Sequence, residues 1–349
     1  MEQLNDLQTM LDQLECPAFL VKDGQVCAVN LGAKQRMAEP GMAVRDLLVT
    51  GQEEYDAFTD GDLYVTLTLG GTIYRCTVTK LQEQELFSIE TRSASHQLQA
   101  LALAAAQLRI PISELSLELN RLESSNSELL SMMNQSLHRL QRIIGNMSDA
   151  AEYAEGVPQK SMQEMSGLFG EILEKAKTLL SHSGVQMHVR LPAEPVYTLA
   201  DRDMLERAVY NLLSNACKFA NTQNPIDVTL KRVQNKLYLT VCDNGQGVDV
   251  SQRSTMFTRY KRQPVIEDPR HGIGLGMTLI HSAAAAHGGT VLVEYPEGKG
   301  TRVTMSLSIE KGKSTDVRTP ILKPDVYGGH DSALIELSDV LPHELYKTK

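Results

Sequence analysis

The stretch NLLSNACKFA, residues 211–220, closes the longer run DMLERAVYNLLSNACKFA (203–220), and the spacing of that run predicts a helix. Leu205, Val209, Leu212, Leu213 and Ala216 recur at three and four residues and make one apolar face. Asn211, Asn215 and Lys218 stand at i, i+4 and i+7 on a neighbouring face. Two amides and an ammonium in one row suit a Mg²⁺–phosphate group, because amide oxygens ligate a hard cation and lysine offsets phosphate charge. Taken alone, the row also fits the polar edge of an ordinary helix.

Two stretches further on change the balance. LTVCDNGQGV (239–248) runs a strand into Asp243, Gly245 and Gly247. A carboxylate at a strand end is an acceptor suited to an adenine amino group, and the glycines permit close approach. HGIGLGM (271–277) then opens a helix with Gly272, Gly274, Leu275 and Gly276, where free backbone amides at a helix N-terminus can receive phosphate. The elements around them alternate: a helix, the strand VQMHVRL, the asparagine helix, the strands IDVTLKRV and KLYLTVC, the glycine-rich region with its helix, and the strands TVLVEY and TRVTMSLSI. That order predicts an α/β sandwich over residues 156–310.

Here the sequence resembles the ATP-binding domain of histidine kinases, within the GHKL superfamily shared with DNA gyrase and mismatch-repair ATPases. NLLSNACKFA is similar to its N box, DNGQG to its first glycine box and GIGLGM to its second. MFTRYKR (256–262) resembles the start of its lid, and AHGGTVLVE with GKGT the end of the domain. The resemblance implies ATP and Mg²⁺ as ligands, Asn215 as the metal residue with Asn211 and Lys218 beside it, and Asp243 as the adenine reader. Among the lid cations Arg259, Lys261, Arg262 and Arg270, it leaves open which one reaches the terminal phosphate. ATP-hydrolysing members of the superfamily carry a glutamate one helical turn before the magnesium asparagine. Here that position is Asn211, an amide unable to accept a proton, so hydrolysis on its own is not expected.

Upstream, two seams step by three and four residues. They run from Leu98 through Ala105, Ile112 and Leu119 to Leu122, and from Leu130 through Leu137 and Ile144 to Ala151. The polar break ESSNSE divides them, which predicts an antiparallel two-helix hairpin over 93–155. So narrow a seam buries itself well only as a four-helix bundle in a homodimer or heterodimer. The hairpin resembles the family's dimerisation domain, whose H box is similar to HELRTPL. AQLRIPI (106–112), aligned on Pro111, places Ala106 at the phosphoacceptor position, Gln107 at the adjacent acid and Ile110 at the phosphatase threonine. A methyl group has no nucleophile for a phosphoryl group. The alternative acceptors are His96, in SHQLQAL, and His138 on the second helix.

Residues 1–92 read as a small α+β domain. PAFLVKDGQVCAVN places two strands about Asp23-Gly24, and LYVTLTLGGTIYRCTVTKL two more about Gly70-Gly71. LGAKQRMA and AVRDLL read as short helices, and LFSIE as a last strand. This order resembles a PAS sensor domain. Cys27 and Cys76 read as small buried hydrophobes rather than reactive thiols. Beyond residue 310, KGKSTDVRTPILKPDVYGG reads as a polar linker, and ALIELSDVLP as two or three helical turns that dock on an unidentified surface.

Composition sets outer limits. The 349 residues are 42% apolar, carry a net charge of −9 and hold five scattered cysteines. These values point to a multidomain α+β protein of the reducing cytoplasm, with no nucleic-acid binding and no membrane insertion. The function expected from the whole is a two-component signalling protein that binds Mg-ATP but acts as a pseudokinase. Its partner would be a kinase or a response-regulator-like protein. Two alternatives stand beside it: an active sensor kinase using His96, His138 or an acceptor in trans, and an adaptor with a vestigial ATP fold.

Overall fold

The computed structural model describes residues 8–14, 16–81, 83–90, 104–105, 108, 112, 114–115, 119, 127–155, 157–219, 225–245, 275–296, 300–310 and 331–347. Strands β1 (Ala18–Lys22) and β2 (Gln25–Val29) form the first hairpin, and Asp23 and Gly24 at its tip both have positive φ, as a type I′ turn requires. After two short helices come β3 (Leu48–Thr50) and a further helix, Gln52–Asp56. The strands β4 (Asp62–Leu69), β5 (Thr72–Leu81) and β6 (Gln84–Ile89) complete this half. Along β4 every second residue is buried, so Leu63, Val65, Leu67 and Leu69 face one core with Phe19, Phe87 and Cys76. Burial pushes the Cys76 thiol well above its ordinary value and raises that of Cys27, so neither is a thiolate at neutral pH.

The second half builds on helices and strands that pack into one larger core. The pair β7 (Ser161–Glu164) and β9 (Tyr197–Ala200) forms a separate two-stranded sheet that the sequence pattern did not suggest. The strands β8 (Met187–Arg190), β10 (Ile226–Val233), β11 (Lys236–Cys242), β12 (Val291–Glu294) and β13 (Arg302–Ser308) carry the helices Met165–Ser181, Arg202–Phe219 and Leu275–Ala286. The two halves are not separate sheets. Strand β4 pairs antiparallel with β12, through Tyr64–Val291, Leu63–Leu292 and Asp62–Val293. One sheet therefore runs in the order β2-β1-β6-β5-β4-β12-β13-β11-β10-β8, with β3 beside β4.

Side chains fasten this junction. The Lys236 ammonium lies 2.8 Å from Glu54, and Arg75 of β5 donates to Ser282 Oγ and to the Tyr153 carbonyl, both at 2.9 Å. Arg75 thus ties the first half to the helix Leu275–Ala286 and to the long helix Ser127–Glu155 at once. Among the described residues of 93–155, Ala105, Ile112, Leu119, Leu130, Leu137 and Ile144 pack together at every seventh position. The other half of the seam remains uncovered: Leu108, Leu115, Met133 and Leu140 are 42–55% exposed. No helix among the described residues is long and apolar enough to cross a membrane.

One buried histidine gives the fold a pH dependence. His287 Nδ1 donates to the Ala283 carbonyl at 2.7 Å, while Nε2 accepts from the Asp201 amide at 2.9 Å. The Nε2 contact needs the neutral ring, and burial lowers its pKa below the ordinary 6.5. The unfolded chain then binds the extra proton first, so stability falls as pH drops below about 6.5, by up to about 1.4 kcal/mol per pH unit. Chemical denaturation between pH 5 and 7.5 is expected to show that slope in the wild type and to lose it in His287→Gln. An equal slope in both proteins would refute the assignment.

Candidate functional site

The helix Arg202–Phe219 positions the asparagine row. Leu205, Val209, Leu212, Leu213 and Ala216 are all buried in the main core, which fixes the rotation of the helix and leaves the row on its flank. Asn211 is 1% exposed; its Nδ2 donates to the Arg207 carbonyl at 3.0 Å, and its Oδ1 accepts from Arg142 at 3.4 Å. Asn215 and Lys218 are partly buried. Glu206, the nearest acid on the helix, accepts instead from Ser332 Oγ at 2.7 Å and stays off this row.

The helix Leu275–Ala286 starts against the same face. A Cβ at Gly276 would come within 3.1 Å of Asn211 Oδ1 and 3.7 Å of Asn215 Nδ2. A side chain there would press on Asn211, so glycine lets the start of this helix pack closely against the asparagine row.

Asp243 follows the end of β11 and is 4% exposed. Its Oδ1 accepts from the Gly245 amide at 2.9 Å and the Thr301 amide at 3.2 Å. Burial nevertheless raises its pKa, the backbone donors offsetting only part of the cost. Cys217, on the asparagine helix, has a thiol pushed up to about 12, first by burial and then by the Asp243 charge. Gly300, at φ +70°, closes the arrangement: a Cβ there would stand 2.3 Å from Asp243 Oδ1. The sequence reading gave neither Gly300 nor Thr301 a role. Both lie in the motif GKGT, which marks the end of the domain but not this contact.

Asn211, Asn215, Lys218, Leu275 and Gly276 are thus brought to one region, and Asp243 with Gly245 forms a second cluster with Gly300 and Thr301. Gly247, Arg259, Lys261, Arg262, Arg270, Gly272, Gly274, His96 and Ala106 lie outside the described residues. His138 lies on the long helix, where Nδ1 sits 2.8 Å from the Asn134 carbonyl and the ring packs edge-on against Tyr346. In place of two or three turns, the segment after residue 330 has one five-residue helix, Ser332–Glu336, and a 3₁₀ turn at His343–Tyr346. Beyond Glu336, side chains of the long helix bond carbonyls of the segment, and Pro342 has no N–H to continue a helix onto Ser338. Gln135 Nε2 donates to Ser338 O and Leu341 O, and Asn134 Nδ2 to Tyr346 O.

A buried charge cluster joins this segment to the site. Arg207 pairs with Asp149, and Glu336, 0% exposed, lies 3.6 Å from Arg142 and 3.7 Å from Arg207. Asp339 accepts from Arg142 and, at 2.8 Å, from the Lys218 ammonium. Those cations hold its carboxyl below the usual range despite burial.

Residues 200–311 match the family described as histidine kinase-, DNA gyrase B-, and HSP90-like ATPase. The relatives are sensor kinases. The chain is 24% identical over 225 residues to an adaptive-response sensory kinase SasA of Prochlorococcus marinus, covering 63% of this chain and 58% of that protein. It is 27% identical over 281 residues to the sensor protein KdpD of Escherichia coli (strain K12), covering 77% of this chain and 30% of that protein. The chain therefore spans a little over half of one curated relative and under a third of the other. Among solved structures, full-length ShkA in complex with AMPPNP aligns with a TM-score of 0.47 at 19% identity, covering 61% of this chain and 47% of that one.

Proposed function

We propose that the chain binds Mg-ATP in residues 200–311 and uses nucleotide as a signal rather than as a phosphate donor. The observation that carries this reading is the close approach of Gly276 to Asn211 and Asn215 within residues that match an ATPase family. The residues fit the ligand. Asn215 would hold magnesium, which when bound neutralises phosphate charge; Lys218 would face phosphate and Asp243 the adenine amino group. Asn211 offers no base for water, and the alignment on Pro111 puts Ala106 where an acceptor histidine would stand.

Nucleotide occupancy would bias the packing of the hairpin against the sheet, which is joined to the first half through β4 and β12. On this reading residues 1–92 are a PAS-like input domain and 93–155 a dimerisation hairpin, whose uncovered leucines and methionines support a second copy or a related kinase as partner. Residues 156–310 are the ATP domain and 311–349 a linker and tail. Five free thiols support a reducing, cytoplasmic setting.

The test is one incubation with γ-labelled ATP and Mg²⁺, split after reaction. Retained nucleotide without acid-labile phosphate on the protein is the expected result. Covalent label abolished by His96→Ala or His138→Ala would make the chain a working kinase and overturn the pseudokinase reading.

A further inference from the structure

The C-terminal segment lies against Lys218, the residue that the nucleotide reading sets at phosphate. Asp339 reaches the Lys218 ammonium at 2.8 Å, and Arg142, held by the same carboxylate, also contacts Asn211 Oδ1. The segment is seated, not merely adjacent. Ala333, Leu337, Leu341 and Tyr346 enter the main core together with the apolar face of the asparagine helix. Its backbone is held by the Gln135 and Asn134 amides and by Ser183 Oγ, which donates to the Val340 carbonyl at 2.8 Å. Its first turn is anchored by Lys175, 2.7 Å from Asp331.

We propose that residues Asp331–Tyr346 are an inhibitory arm that competes with nucleotide phosphate for Lys218, so that ATP binding and arm docking exclude one another. The inference rests on the nucleotide reading above and concerns the regulation of that same site. The competition is physical. A carboxylate on Lys218 already satisfies the ammonium and repels a polyphosphate brought to the same place. Because the arm is part of the chain, its docking is unimolecular, and a free nucleotide must compete against a constant local concentration. Linkage makes the relation reciprocal: whatever loosens the arm tightens nucleotide, and nucleotide loosens the arm by the same factor. Tyr346 packs on His138, so release of the arm would uncover that ring as well.

The test uses the full chain, a fluorescent N-methylanthraniloyl ATP and Mg²⁺. Asp339→Asn removes the competing charge and keeps the shape of the side chain. A second variant, Leu337→Asp with Leu341→Asp, drives the arm from its apolar seat. Both are expected to bind the analogue about ten-fold more tightly than the wild type, as the competent fraction rises. In the wild type, saturating Mg-ATP is expected to speed backbone hydrogen exchange in peptides covering Ser332–Tyr346. Equal affinities in all three proteins, or exchange in those peptides unchanged by saturating nucleotide, would overturn the arm while leaving the nucleotide site standing. Absence of binding in all three would remove the site itself, and the arm with it.

Discussion

Asp243→Asn is expected to weaken adenine-nucleotide binding about 100-fold, or roughly 3 kcal/mol, without destabilising the fold. The two halves of that expectation come from the same carboxylate. Its Oδ1 accepts from the amides of Gly245 and Thr301, and an asparagine oxygen in that place keeps both bonds. The second carboxylate oxygen becomes an amide nitrogen, a donor turned toward the donor of an adenine amino group. Burial raises the Asp243 pKa above the ordinary 3.8, so the folded state carries a cost whenever the group is ionised. The sign follows from proton counting. Between the unfolded and folded pKa values the native state holds the extra proton, so wild-type stability falls as pH rises through that window and then levels off. Asparagine lacks this slope. Thermal denaturation at pH 4 and pH 8 should show the variant equal to the wild type at the lower pH and at least as stable at the higher. A variant that binds nucleotide as the wild type does would remove Asp243 from the site.

The largest loss of stability is expected from Arg207→Ala, about 3–5 kcal/mol in chemical denaturation. Arg207 stands between Asp149 on the long helix and Glu336 on the C-terminal helix, in a region closed to solvent. Removing the guanidinium leaves two carboxylates in low dielectric with less positive charge between them, and their desolvation is no longer offset. Because the damage is electrostatic, Arg207→Ala combined with Glu336→Gln should regain part of the loss. The two changes would then be non-additive, as for residues in one network. A cost under about 1 kcal/mol, or strict additivity, would mean that the cluster is solvated and weak.

The parts of this molecule legible from sequence are those set by local periodicity and turn chemistry. Asp23-Gly24 and Gly70-Gly71 mark hairpins because two-residue turns demand positive φ, which the chain adopts there. The asparagine row was legible because burial of Leu205, Val209 and Leu213 fixes the helix rotation and so the direction of its flank. The pairing of β4 with β12 was not legible. Alternation along Asp62–Leu69 states which side chains are buried, not which distant edge completes the ladder. Thr301 escaped for a related reason: it acts on Asp243 through a backbone amide, and a backbone donor has no side-chain signature.

The C-terminal segment shows a further limit. The spacing Ala333, Leu337, Leu341 announces an apolar face in need of a groove, and it did suggest docking. Glu336 and Asp339, however, look like an ordinary solvated edge until Arg142, Arg207 and Lys218 are placed opposite them. Charge complementarity between distant segments is written in the fold, and no window of sequence contains it.

The most direct test of the central claim is photolabelling of the full chain with 8-azido-ATP and Mg²⁺ at millimolar concentration, followed by peptide mapping. The account predicts an adduct within residues 200–311 that excess ATP suppresses and that Asn215→Ala loses while remaining folded. An ATP-protected adduct elsewhere in the chain, or none that ATP protects, would contradict it.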